Sequence, residues 1–142
     1  MKVFLDANIL VSVLNKEYPV FTYTARVLSL SEDKKFQLFS SSSCFAIAFY
    51  FSSKKSGAVV AKNKIALLAE KIKLAENKTE DLLTITNNKK ILDLEDGLQY
   101  HAAKNAGCTC IVTENVKDFH FSDIEVLDAE SFLIKYALSL KK

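Results

Sequence analysis

Little in this sequence is of the kind that interrupts a folded chain. Among 142 residues there are three glycines and one proline, against 49% hydrophobic residues. That balance excludes a disordered or linker-like chain. No charge of one sign prevails: 19 Lys and Arg face 17 Asp and Glu, a net charge of +2. A surface coated with one sign is excluded; nucleic acid is permitted as a partner but not demanded. No apolar run approaches the roughly 18 residues of a membrane span. The N-terminus passes straight into a strand without a signal-peptide pattern, which sets the cytoplasm as the expected location. Cys44, Cys108 and Cys110 are an odd number without metal-type spacing, so buried, reduced thiols are expected. The length suits one domain, residues 1–142.

What is present starts with Val3-Phe4-Leu5-Asp6-Ala7-Asn8-Ile9-Leu10. A short apolar run closed by a polar residue reads as a strand buried on both faces. Strand one is expected over Lys2 to Asp6 and a short helix over Ile9 to Leu14. Pro19 can open the next helix, where its missing N–H costs nothing, and that helix is expected to reach Ser31. Phe36 to Phe39 reads as strand two. The serines at Ser40 to Ser43 offer helix caps. Cys44 to Phe51 reads as a buried helix ending near Ser53, and Lys54 to Gly57 breaks it.

Ala58 to Glu76 is the longest helical stretch, with a stripe of Ala61, Ile65, Leu68, Ile72 and Ala75. Leu82 to Thr86 is β-branched and alternating, and is expected as strand three. Asp93 caps a helix to about Ala106, closed by Gly107. Thr109 to Thr113 is strand four and Glu125 to Leu127 strand five. Asp128 caps a final helix through Leu140, with Lys141-Lys142 as a tail. Strands alternating with helices predict an α/β fold with a parallel sheet covered on both faces.

In such sheets ligands bind beyond the carboxyl ends of the strands. Asp6 ends strand one, and Thr113 to Asp118 leaves strand four. Asp93 and Asp96, three apart, share one face of a helical turn; Glu95 is expected to point elsewhere. If strands one and four are neighbours, these groups meet at one sheet edge. Two carboxylates about 4 Å apart repel by roughly 4 kcal/mol at an effective dielectric near 20. A group of them raises its own pKa values unless a cation sits among them, and hard divalent ions suit oxygen ligands. Each residue also has a plain structural role open to it. Asp6 and Asp93 can cap helices, Asp96 can favour a helix N-terminus, and Asn115 and Asp118 can serve turns. His101 and His120 are expected at the surface or in packing.

Three segments carry a family resemblance: VFLDANILVSVL at Val3 to Leu14, DLEDGLQYHAAKNAG at Asp93 to Gly107, and IVTENVKDF at Ile111 to Phe119. In that order the chain resembles the PIN-domain ribonucleases, in the toxin-like, VapC-type subgroup. The resemblance implies a three-layer α/β/α sandwich whose five-stranded parallel sheet has the order 3-2-1-4-5. It implies RNA cleavage dependent on Mg²⁺ or Mn²⁺, with Asp6, Asp96 and Asp118 at the metal and Asp93 as a further acid. Asn8, Thr113 and Asn115 match supporting polar residues. A small antitoxin protein and a homodimer are implied as partners.

The chain departs from the family in three places. Ser43 to Ser53, where many members carry another acid, has none. Glu114 stands where a basic residue is common, and Gly97 where alanine is usual. The expected function is thus a metal-dependent endoribonuclease acting as a toxin, with Lys16, Lys89 and Lys117 as contacts to the RNA backbone. The alternative is a catalytically weakened module that binds RNA or a partner protein.

Overall fold

The structure, a computed structural model, describes residues 1–137. Its centre is a parallel sheet of five strands in the order β3-β2-β1-β4-β5. The strands are β1 (Lys2–Leu5), β2 (Gln37–Ser41), β3 (Ile72–Ala75), β4 (Cys110–Val112) and β5 (Glu125–Leu127). Val3, Phe4 and Leu5 are wholly buried, as are Cys110, Ile111 and Val112, so the two central strands are apolar on both faces. Val3 pairs with both Leu38 and Cys110, which makes β1 and β4 neighbours.

Helices cover both faces of the sheet. They are α1 (Ala7–Asn15), α2 (Phe21–Ser29), α3 (Ser42–Ser56), α4 (Ala58–Lys71), α5 (Thr79–Asn87), α6 (Leu94–Asn105) and α7 (Ala129–Phe132). A π-helical turn, Leu133–Ala137, continues α7. The expected end of that helix at Leu140, and the tail, lie outside the described residues. α1 packs on α2 and α3, and α3 on α4; α5 and α6 pack on each other, and α6 also on β2 and β3. Ser12 Oγ and Thr24 Oγ1, both buried, meet at 2.9 Å and tie α1 to α2. No helix among the described residues is long and apolar enough to cross a membrane. The three cysteines are free and buried, as expected.

Three elements differ from the sequence expectation. The helix expected to be buried and broken at Lys54 is α3, which runs on through Lys54 and Lys55 to Ser56. It buries only the stripe Cys44, Ala48 and Ser52, leaving Tyr50 and Phe51 exposed because no element among the described residues covers that face. The other two differences are coupled. The long helix stops at Lys71, and Ile72–Ala75 is strand β3. The stripe Ala61, Ile65, Leu68, Ile72, Ala75 keeps a helical period across this boundary, so periodicity hid the change. Pairing with β2, where Leu38 opposes Ile72 and Ser41 opposes Ala75, overrides it. The segment expected as strand three, Leu82 to Thr86, lies instead inside α5. Asp81 decides this. Its carboxylate accepts from the Lys78 backbone N–H at 2.8 Å and starts a helix through β-branched residues.

Gly97 has a packing role. A Cβ there would lie 2.7 Å from Cγ2 of Ile85 and 2.9 Å from Cγ2 of Ile91. Its lack of a side chain lets α6 lie close against α5, a packing gain set against the helix-propensity cost of glycine.

Candidate functional site

The carboxyl edge of the sheet gathers the acids. Asp6 caps α1, its Oδ1 accepting from Ala7 N at 2.7 Å. Its Oδ2 accepts from Thr113 Oγ1 at 2.7 Å and from Asn8 Nδ2 at 3.3 Å. Asn8 Nδ2 also donates to Thr113 Oγ1 at 3.0 Å, and Asn8 Oδ1 accepts from Glu114 N at 3.1 Å. Asn115 N donates to Thr113 Oγ1 at 3.1 Å. Asp6, Asn8 and Thr113 thus form one closed network between the ends of β1 and β4. Asp6 is nearly buried, and burial pushes its carboxyl up; Thr113 and Ala7 pull it back, and the Asp118 charge raises it further.

Asp93 caps α6 by accepting from Asp96 N at 3.1 Å. Asp96, in the first turn, is half-buried, and its carboxyl is pushed up to about 7. Desolvation is the largest cause, followed by the charges of Asp93, Asp6, Asp118 and Glu95. Five carboxylates therefore share one field, although they come from three separate stretches of chain. Asp118 sits exposed on the 3₁₀ turn Val116–Phe119 that follows β4. Among the described residues no three His, Cys, Asp or Glu side chains stand close enough to form a ready-made metal cage.

A cavity of about 380 Å³ opens here, lined by Asp6, Asn8, Asp96 and Asn115 together with Glu95, Glu17, Val11, Ile47 and Phe51. Asp93, Asp118 and Thr113 are not in its wall; Thr113 lies behind Asp6 and the other two act through their charge. Lys16, Lys89 and Lys117 are exposed and do not line it either. His101 lies on the flank of α6, with Nδ1 3.9 Å from Asp81, and takes no part.

Two lining acids escaped the sequence reading. Glu95 faces the cavity, and its carboxyl is raised by desolvation and by Asp93 and Asp6. Gln99, buried one turn on, donates to Glu95 Oε1 at 3.4 Å. The available signal was position: the first turn of α6 ends at the cleft, so neighbours of Asp96 reach it as well. Glu17 comes from the loop after α1, where nothing local marked it. Opposite them α3 offers Ile47 and Phe51, the apolar counterpart of its acid-free sequence.

Comparison with known proteins bears on the whole chain. The PIN domain family profile matches residues 2–117. Ribonuclease VapC1 of Aquifex aeolicus (strain VF5) is 32% identical over 134 residues, which cover 92% of each chain. A crystal structure of VapBC2 from Rickettsia felis, bound to a DNA fragment from their promoter, superposes with a TM-score of 0.66 at 21% identity, covering 90% of this chain and 98% of that one. The structure of VapBC-1 from nontypeable Haemophilus influenzae gives a TM-score of 0.67 at 19% identity, with 92% and 99% covered. At these identities the two structures establish likeness of fold.

Proposed function

Since the chain belongs to the PIN-domain family, in its VapC-type branch, we propose that it is an endoribonuclease that uses Mg²⁺ or Mn²⁺ and serves as the toxin of a toxin–antitoxin pair. One observation carries the reading: Asp6 and Asp96, 90 positions apart in sequence, line one cavity at the carboxyl edge of the sheet. The donor set fits a hard divalent ion, being carboxylate oxygen throughout. With two lining aspartates in place of a closed cage, the fit is to an ion held by one or two carboxylates and otherwise by water, as Mg²⁺ commonly is.

Asp6 and Asp96 are the residues to hold that ion. Asp118 and Asp93 add charge from the rim, as ligands or by orienting water. When bound, the ion supplies an activated water and neutralises charge on the phosphodiester. Thr113 and Asn8 fix the Asp6 carboxylate through Oδ2, which holds one ligand oxygen in place before substrate arrives. Asn115, in the cavity wall, is the residue we assign to a phosphate oxygen, as a side-chain amide donor. The cytoplasm is the proposed location, and a small antitoxin and a second copy of the chain are the proposed protein partners. Their support is likeness to VapBC assemblies.

The test is cleavage of a mixed RNA pool with Mn²⁺ by the wild type and by Asp6→Asn. Cleavage by the wild type alone supports the reading; equal cleavage by both, or none by either in metal excess, defeats it. A second reading, a non-catalytic module that binds RNA or a protein, draws on Ile47 and Phe51 standing where an acid is usual on α3. Calorimetry separates the two, since the second predicts no divalent-ion binding at the cleft.

A further inference from the structure

The α3 wall of the cavity has a chemistry of its own. Phe51 lines the cleft yet is 46% exposed, and its neighbour Tyr50 is 51% exposed. Their rings meet edge to face, centroids 5.2 Å apart and planes at 76°. Neither ring belongs to the buried core. One turn further on come two lysines, and nowhere from Ser42 to Ser56 does α3 contain an acid. Lys54 Nζ lies 4.6 Å from the centroid of the Tyr50 ring. Lys55 Nζ donates to the backbone carbonyl of Asn15, which fixes it at the end of α1 beside the cleft. In turn Asn15 Nδ2 donates to the Phe51 carbonyl at 3.4 Å, so the aromatic turn is anchored to the helix that Asp6 caps.

We infer that Tyr50 and Phe51, with Lys54 and Lys55, form a stacking subsite for an unpaired base of single-stranded RNA next to the phosphate that enters the acidic cleft. The inference rests on the cleft being a site for RNA. Two features select this occupant. Exposed aromatic rings interleaved with lysines are what a single strand requires: a π-face for each base and a cation for each phosphate. The platform is also continuous with the cavity, because Ile47 and Phe51 form its wall. A strand held by a phosphate near Asp6 and Asp96 passes over these rings on leaving. The cleft itself is acidic and repels the backbone, so affinity has to come from its border. Duplex RNA keeps its bases stacked inside and gains nothing from such a platform.

The experiment measures binding of a short, fluorescein-labelled single-stranded RNA by anisotropy, in an Asp6→Asn background that prevents cleavage. Adding Tyr50→Ala or Phe51→Ala weakens binding by about tenfold each. Phe51→Trp retains it, and a hairpin of the same sequence is bound no better by the parent than by the Ala variants. In the native-cleft background the Ala variants raise KM for RNA cleavage and leave both kcat and Mn²⁺ affinity unchanged. Single-strand affinity within about twofold of the parent overturns the inference. If, in addition, light scattering shows a changed oligomeric state, the face is a protein interface. If the wild type neither binds nor cleaves RNA in Mn²⁺ excess, the nuclease reading falls and takes the subsite with it; unchanged affinity in the Ala variants removes the subsite alone.

Discussion

Two carboxylates in this molecule have the same small exposure and opposite electrostatics. Asp6 and Asp81 are each 6% exposed. The Asp6 carboxyl is raised and the Asp81 carboxyl lowered. Burial pushes both up. At Asp81 it is more than offset by Lys78 N at 2.8 Å, Asn105 Nδ2 at 2.9 Å and Asn77 Nδ2 at 3.3 Å, with His101 nearby. At Asp6 the donors are Thr113, Ala7 and Asn8, and the charges it meets are other acids. Asp81 is complete: its partners join the start of α5 to α6 and to the turn after β3. The charges that raise Asp6 and Asp96 are all those of other acids. That difference, more than burial, is what supports the proposal of a cation at the carboxyl edge, whereas the Asp81 cluster is a joint.

The largest expected effect is on catalysis. Asp6→Asn keeps a side chain able to cap α1 and removes the charge, so Mn²⁺-dependent RNA cleavage falls to background. Asp81→Asn leaves the rate per folded molecule unchanged but costs about 1–3 kcal/mol of stability, read from urea unfolding, because it disrupts a buried acceptor with several donors. Loss of cleavage in both, or retention in both, would erase the distinction between the two clusters.

Next comes packing. Gly97→Ala drives a methyl group into Ile85 and Ile91. It costs about 1–3 kcal/mol despite the better helix propensity of alanine. A variant as stable as the wild type would show that α5 can move away from α6.

The pH dependence of the metal-free protein sharpens the contrast further. Folded, Asp96 holds its proton to about pH 7; unfolded, it loses it near pH 4, roughly the ordinary carboxyl value. Between these limits the folded chain binds more protons, so this contribution falls as pH rises through the window and is level above it. Asp81 acts in the other sense. Its folded pKa is lowered, so its contribution is present above about pH 4 and is lost as pH falls further. Thermal melts of wild type and Asp96→Asn check the first: the variant loses the decline between about pH 4 and 7, a change on the order of 1 kcal/mol after solvent screening of this half-exposed group, or about 3–5 °C in Tm. Mn²⁺ restores wild-type stability above pH 7 and has little effect on the variant.

The smallest effect is that of Glu95→Gln. Removing one charge from the cavity wall weakens Mn²⁺ binding by up to about tenfold in calorimetry while leaving the fold intact. Unchanged affinity would return Glu95 to a bystander.

Much of this architecture could be read from the residues. β1, α6 and β4 announce themselves because local signals coincide there: apolar runs, a polar residue at each strand end, Asp93 as cap and Gly107 as stop. Those same segments carry the acids, which is why the edge of the sheet was foreseeable. β3 and α5 were exchanged because both are decided at long range. β3 exists by virtue of its pairing with β2, and α5 by a carboxylate that Asn77 and Asn105 hold in place. Glu95 and the aromatic rim were missed for another reason. A pattern along one helix does not say what stands across a cavity from it, and Ile47, Phe51 and Glu17 acquire meaning only opposite Asp96.

The most direct measurement is anomalous scattering from crystals soaked in Mn²⁺. A single strong peak is predicted in the cavity lined by Asp6 and Asp96, within direct-coordination reach of a carboxylate oxygen of at least one of them. No peak in that cavity at saturating Mn²⁺, with Asp6 and Asp96 ordered and unliganded, would contradict a cation-binding edge.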